Sequence, residues 1–152
     1  MEMFCFQCQE AAKGTGCTVK GVCGKDDQVA NLQDLLVWIT KGISIYTTAA
    51  RGIKVEWEDA NRFVFDALFM TITNANFDKT KIEEKIREGI ILRNEIRNRF
   101  EAEGGTIAGK LHESMSWNGQ TIEEFYSMSL LCLSAKNIGI QNISGLDTPK
   151  LI

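Results

Sequence analysis

Four cysteines fall within the first 23 residues of this chain and constrain its folding more than any other feature. Cys5 and Cys8 are separated by two residues, and Cys17 and Cys23 follow in a glycine-rich stretch. Apolar residues show little periodicity there, so the segment predicts neither a regular helix nor a strand. Because glycine allows positive φ and a close approach of the backbone to a bulky group, the composition favours a loop wrapped around a cofactor.

The compartment decides what these thiols do. No basic region followed by a long apolar run precedes Cys5, which predicts no secretory signal. No uninterrupted apolar stretch reaches roughly 18 residues, so we expect no membrane span. Both observations favour a cytoplasmic protein. Because cytoplasmic thiols stay reduced, we interpret the four cysteines as metal ligands rather than as disulfide partners.

Size and charge exclude some classes of function. A chain of 152 residues fits one domain, and its 44% apolar and 24% charged residues are ordinary for a globular protein. The net charge of -3 and the lack of a basic stripe with interleaved aromatics argue against nucleic-acid binding.

Beyond the cysteine segment, apolar residues recur at helical spacing in four stretches. The first helix is predicted over about 31–51 with Asn31 as its N-cap, and the second over about 56–73. The third begins near residue 78 or 80 and ends at a glycine pair, and the fourth spans 121–139. No alternating pattern is strong enough to predict a sheet.

Two of these helices have sequence signals for their starts. Thr80 and Glu83 have the spacing of a capping box for the third helix, and Thr121 and Glu124 have it for the fourth. A polar, glycine-containing connection is predicted between the two helices.

The predicted fold class is therefore all-α, a bundle of about four long helices with an N-terminal cysteine-rich cluster-binding loop. We expect one domain over 1–152, in which 1–27 binds the cluster and 31–139 forms the bundle.

The cysteine spacing indicates an iron–sulfur centre. Soft thiolates are the ligands that iron–sulfur clusters use, and four of them suit a [4Fe–4S] or a [2Fe–2S] cluster. Structural zinc is the alternative, but zinc modules favour two short Cys-x-x-Cys pairs. Here Cys17 and Cys23 have five residues between them, which favours iron over zinc without eliminating zinc.

Longer runs resemble a known family. Residues 3–10 and 15–25, which contain the cysteines, look like the opening of hybrid cluster proteins, also called prismane proteins or hydroxylamine reductases. Residues 31–36 and 73–78 are similar to the same helical N-terminal domain. The resemblance implies a [4Fe–4S] cluster near the surface, bound by four ligands: Cys5, Cys8, Cys17 and Cys23.

In that family, the first cluster relays electrons to a second, oxygen-containing hybrid cluster that reduces hydroxylamine or nitric oxide. Family members are several times longer, and their hybrid-cluster ligands lie in later domains. This chain adds only Cys132 and its sole histidine, His112, to the four cysteines. We interpret Cys132 as a buried core thiol and His112 as a solvated side chain. The chain is therefore not expected to be catalytic alone.

Three hypotheses follow. The first is an electron-transfer protein or domain with a redox partner protein; a homo-oligomer is compatible with it. The second is a component of a split or truncated hydroxylamine or nitric oxide reductase. The third is a structural metal-binding module that binds a partner through its helices. We further expect Lys13, Lys20 and Lys25 to be plain surface residues, and Phe4 and Phe6 to shield the cluster from water.

Overall fold

The computed structural model describes residues 3–5, 7–53, 57–73 and 77–134. The α-helices in these ranges are α1 (Asp27–Arg51), α2 (Glu58–Ile72), α3 (Lys79–Ala102) and α4 (Ile122–Ser134). A short 3₁₀ turn, Ala12–Gly14, precedes α1, and a second, Glu113–Met115, lies between α3 and α4. No strand occurs in the described ranges, and the one strand-like contact is an isolated antiparallel bridge. The prediction of an all-α fold is confirmed.

Helix α1 is the centre of the bundle, because α2, α3 and α4 all pack against it. Its buried side chains therefore occupy most of its circumference instead of one narrow stripe. The fully buried ones include Leu32, Leu35, Leu36, Ile39 and Ile43. None of the helices in the described ranges is both long enough and apolar enough to cross a bilayer.

Helix α1 begins at Asp27, earlier than the predicted start near Asn31. Its N-cap is Asp26, whose carboxylate accepts a hydrogen bond of 2.8 Å from the Val29 amide. The prediction of Asn31 as the cap is wrong, because Asn31 lies buried within the helix. This earlier start brings the first turn of α1 directly against the cysteine segment.

Of the two predicted capping boxes, the one at the start of α3 is wrong and the one at the start of α4 is confirmed. Asp78 caps α3 by accepting a hydrogen bond of 3.3 Å from the Lys81 amide, so the capping box predicted at Thr80 is wrong. In α4 the box is confirmed: the Glu124 amide donates to the Thr121 hydroxyl at 3.2 Å, and the Thr121 amide donates to the Glu124 carboxylate at 2.9 Å. The predicted end of α4 at residue 139 lies outside the described residues.

The connection between α3 and α4 is more buried than its polar composition predicts. The Glu113–Met115 turn packs against α1, and both Ser114 and Met115 are buried. Arg93 of α3 is fully buried and donates from Nη1 to the Ser114 carbonyl at 3.0 Å. Gly42 of α1 permits this approach, because a Cβ at that position would stand 2.7 Å from the Ser114 carbonyl carbon. The two loop residues therefore belong to the core.

Candidate metal centre

Cys5 and Cys17 lie opposite each other in the isolated antiparallel bridge. The Cys5 amide donates to the Cys17 carbonyl at 3.0 Å, and the Cys17 amide donates to the Cys5 carbonyl at 2.7 Å. Directly opposed residues of an antiparallel pair carry their side chains on the same face, with Cβ atoms about 4.5–5.5 Å apart. The backbone therefore brings the first and third cysteines of the segment together.

A small apolar cluster attaches this pair to the helical bundle. Met3, Cys17 and Ala30 are buried against one another, and Cys5 and Ala12 pack around them. Ala30 lies in the first turn of α1, which starts immediately after the cysteine segment. The early start of α1 thus supplies the surface on which Cys17 rests.

Within the described part of the chain, the sulfur atoms of Cys17 and Cys5 accept hydrogen bonds. The Ala12 amide donates to Cys17 Sγ at 3.5 Å, and Lys25 Nζ donates to Cys5 Sγ at 3.7 Å. Hydrogen bonds to a ligating sulfur are one means by which a protein tunes a metal centre. The two donors are therefore in place to act on a centre that Cys5 and Cys17 would bind.

The other two cysteines lie nearer to solvent. Cys8 is half-buried, and its carbonyl accepts a hydrogen bond of 3.2 Å from the Ala11 amide. Cys23 is exposed, in a tight turn where the Gly24 amide donates to the Gly21 carbonyl at 2.8 Å. A Cβ at Gly21 would stand 3.1 Å from Cys23 Sγ, so glycine leaves the space that the sulfur occupies.

All four thiols are free. Within the part of the chain that the structure describes, no three histidine, cysteine, aspartate or glutamate side chains are arranged as a metal-binding group. The structure thus pairs Cys5 with Cys17 but does not bring four sulfurs to one point. The donor set nevertheless fits an iron–sulfur cluster, because four free thiols share one segment and two already accept hydrogen bonds.

Lys25 is the residue that sequence reasoning missed. The prediction that it lies at the surface is wrong, because only 1% of the residue is exposed. Its ammonium donates to Gln7 Oε1 at 3.1 Å as well as to Cys5 Sγ. Lys13 and Lys20 are exposed, as predicted. The buried cation is therefore specific to the position that contacts a cysteine.

An acidic side chain of α1 lies within electrostatic reach of Lys25. Burial raises the pKa of Asp34 to about 7, while the positive charge of Lys25 acts in the opposite direction. Asp34 follows Ala30 by four positions, so both residues project from the same face of α1. This face therefore presents an apolar contact to Cys17 and a carboxyl group to Lys25.

The remaining predicted residues have mixed outcomes. Phe4 is 39% exposed, and its ring covers Gly16, where a Cβ would stand 2.8 Å from Cζ of the ring and still nearer to Cε2. Phe6 and the side chain of Cys132 lie outside what the structure describes. His112 is half-buried instead of solvated: its Nδ1 accepts from the Ser114 amide at 3.2 Å, and burial lowers its pKa. That prediction is wrong because His112 packs beside Trp38 of α1.

Comparisons with known proteins confirm the family resemblance of the sequence. A family model described as the Prismane/CO dehydrogenase family matches residues 3–140. A hydroxylamine reductase of Desulfitobacterium hafniense is 50% identical over 125 residues, which cover 82% of this chain and 23% of that protein. One from Bacteroides thetaiotaomicron is 51% identical over 123 residues, covering 81% and 22%. One from Thermoanaerobacter pseudethanolicus is 44% identical over 150 residues, covering 97% and 27%. The chain thus spans about a quarter of the length of these relatives.

Proposed function

Since the chain belongs to the Prismane/CO dehydrogenase family, we propose that Cys5, Cys8, Cys17 and Cys23 bind an iron–sulfur cluster that transfers electrons. Proteins of this family bind iron–sulfur clusters. The observation that carries the proposal is the paired backbone of Cys5 and Cys17, in a segment whose four thiols are free. A cluster of this type takes up and releases single electrons when it is bound.

We assign the cluster as [4Fe–4S], because four thiolates from one short segment are a complete ligand set for it. A [2Fe–2S] cluster and a zinc ion use four cysteines as well, and they are the alternatives that metal analysis separates. In this assignment, Met3 and Ala30 exclude water from the Cys17 side. Ala12 and Lys25 supply the hydrogen bonds to sulfur.

Electron exchange with a partner protein would occur at the exposed side of the segment. Cys23 is the most exposed of the four cysteines, whereas Cys17 is buried against α1. Because a redox partner must approach a centre closely, we place its docking side at the turn that carries Cys23. We propose a protein partner for this electron transfer. The turn that carries Cys23 would be the docking side both for a separate protein and for a further domain.

A second function is favoured by the relatives. Those described above are hydroxylamine reductases, and each is about four times as long as the region it shares with this chain. In that case the chain is one component of a hydroxylamine reductase, and it delivers electrons to catalytic parts located outside these 152 residues. His112 alone offers no substitute for those parts, because within the described residues it belongs to no group of three metal-ligating side chains.

Metal and sulfide analysis of anaerobically purified protein tests the cluster. We expect about four irons and four sulfides per chain. Reduction with dithionite should bleach the visible absorption and produce an electron paramagnetic resonance signal. A colourless protein that holds zinc and no iron would refute the electron-transfer function and leave a structural metal module.

Hydroxylamine consumption by the isolated chain, with reduced viologen as the electron donor, separates the two functions. We expect none, because beyond the four cysteines of the N-terminal segment the chain adds only one cysteine, Cys132, and one histidine, His112. Turnover by the chain alone would contradict this view of its role. Turnover that appears only when a catalytic partner is added would support the second function.

Replacement of Cys8 by serine tests whether a metal serves only as a structural staple. In the electron-transfer function, this variant loses the visible absorption and the paramagnetic signal while helices α1 to α4 persist, because their core is separate from the cysteine segment. Loss of helix content in a protein that never showed a redox signal would instead favour the structural module.

A further inference from the structure

We propose that Lys25 is a positioning residue that raises the reduction potential of the cluster through its hydrogen bond to Cys5 Sγ. The inference rests on the proposed iron–sulfur function and adds to it the residue that sets the potential. It starts from a contact that burial makes unusual: a lysine ammonium held inside the protein, 3.7 Å from a cysteine sulfur.

Both ends of Lys25 are fixed. Its backbone carbonyl accepts a hydrogen bond of 2.8 Å from the Gly21 amide, within the turn that presents Cys23. Its ammonium donates to Gln7 Oε1 at 3.1 Å, and Gln7 lies between Cys5 and Cys8. The side chain therefore links the first half of the cysteine segment to the second. A lysine held in this way keeps its charge at one distance from the sulfur.

The charge of Lys25 needs compensation because burial of an isolated ammonium is unfavourable. Within the described residues, Gln7 and Cys5 accept its hydrogen bonds, and Asp34 of α1 interacts with it electrostatically. A cluster ligated by four thiolates, one of them Cys5, would carry a net negative charge after the positive iron–sulfide core is counted. The ammonium is thus placed where an anionic centre is required, which a surface role does not explain.

The sign of the effect follows from electrostatics. Reduction transfers one electron from the donor to the cluster, so the centre becomes more negative by one charge and the donor more positive. A nearby cation stabilises the reduced form more than the oxidised form, and it does so more strongly when water is excluded from between them. Lys25 therefore makes reduction easier. An exposed lysine in the same segment acts through solvent, where salt screens its charge.

The chain offers a matched control for this test. Lys20 lies in the same segment and is exposed, so Lys20→Met removes the same charge as Lys25→Met without removing a buried hydrogen bond. A third variant, Lys25→Arg, keeps the positive charge. Each variant of the full chain is purified anaerobically, its iron and sulfide are measured, and its midpoint potential is determined by titration with dithionite under electron paramagnetic resonance.

We expect Lys25→Met to lower the reduced-to-oxidised ratio at a fixed potential about tenfold, which is about 59 mV for one electron. Lys20→Met should shift the midpoint much less, and Lys25→Arg should stay near the wild type. An unshifted Lys25→Met, or equal shifts in Lys25→Met and Lys20→Met, would overturn the proposal. These results are distinct from failure of the proposed function, in which the wild-type chain itself holds no cluster.

The proposal can still be tested if the Lys25→Met variant binds no cluster. Lys25→Gln, which keeps a donor but loses the charge, then replaces it in the comparison with Lys25→Arg. A lower midpoint in Lys25→Gln than in Lys25→Arg supports the proposal. If neither variant holds a cluster while Lys20→Met does, Lys25 acts in assembly and the proposal of potential tuning is wrong.

Discussion

The contact between α1 and the Glu113–Met115 turn can be tested by a single added methyl group. Gly42 lies in α1 where the Ser114 carbonyl approaches the helix backbone. In the Gly42→Ala variant, the new Cβ would collide with that carbonyl oxygen and stand 3.3 Å from Cδ of Arg93. Because the obstacle is backbone, a side-chain rotation cannot relieve the collision. The turn must move away from α1.

The size of the effect combines three contributions. Insertion of a methyl group into a packed core costs about 1–3 kcal/mol. Movement of Ser114 breaks its hydrogen bond with the buried Arg93 guanidinium, and hydrogen bonds to charged groups contribute about 1.5–3 kcal/mol. Alanine has a higher helix propensity than glycine, which offsets about 1 kcal/mol of this destabilisation. We therefore expect Gly42→Ala to lower the free energy of unfolding by about 3 kcal/mol.

Thermal unfolding, followed by circular dichroism at 222 nm under anaerobic conditions and at one scan rate, measures this change. For a chain of this size, about 3 kcal/mol corresponds to a decrease of about 6–12 °C in Tm. The control is Gly52→Ala at the end of α1, where φ is -61° and the nearest atom to a new Cβ is the Ala49 carbonyl at 3.2 Å. We expect its Tm to change by less than about 4 °C. Equal Tm values for the two variants would refute the close approach at Gly42.

Three further predictions concern a helix cap, a titration and the cysteine segment. Thr121→Ala removes one side of the capping box of α4 and should lower the free energy of unfolding by about 1 kcal/mol. Ser127→Ala, on the exposed face of α4, should leave it unchanged. Equal Tm values for the two variants would contradict the role of the box. His112 has a lowered pKa, so the folded chain binds its proton less tightly than the unfolded chain does. Its contribution to stability is therefore complete above about pH 6.5 and is lost as pH falls through the lowered pKa. Because His112 is the single histidine, one proton resonance follows the titration, and a midpoint at or above 6.5 would refute the burial of the ring. The Gly21→Ala variant places a Cβ 3.1 Å from Cys23 Sγ, so we expect it to lower the iron content of anaerobically purified protein. The Gly52→Ala control should leave the iron content unchanged. An unchanged iron content in Gly21→Ala would show that the turn needs no glycine.

The helices were predictable because apolar periodicity is a local property. The Thr121–Glu124 box marked the start of α4 correctly, since both partners are four residues or fewer from the helix start. The start of α1 was not predictable with the same accuracy. Asp26 and Asn31 are both good capping residues, and the earlier start at Asp26 is accompanied by packing of Ala30 against Cys17, a contact between residues distant in sequence.

The missed features depend on residues that are distant in sequence. Lysine is rarely buried, so nothing near Lys25 indicates its environment; Gln7 and Asp34 create it. Ser114 and Met115 stand in a polar connection, and their burial follows from the missing side chain at Gly42. The types of the ligand residues were readable from the sequence, whereas the groups that surround them arise from the tertiary fold.

The backbone pairing of Cys5 with Cys17 has a consequence for how metal would be captured. These two amide–carbonyl bonds join the first and third ligand positions through the backbone alone. Ring closure is an entropic cost that a flexible chain would otherwise meet at the moment of binding. Incoming iron would thus meet two neighbouring sulfurs at the outset, and only Cys8 and Cys23 would have to be recruited from positions nearer to water.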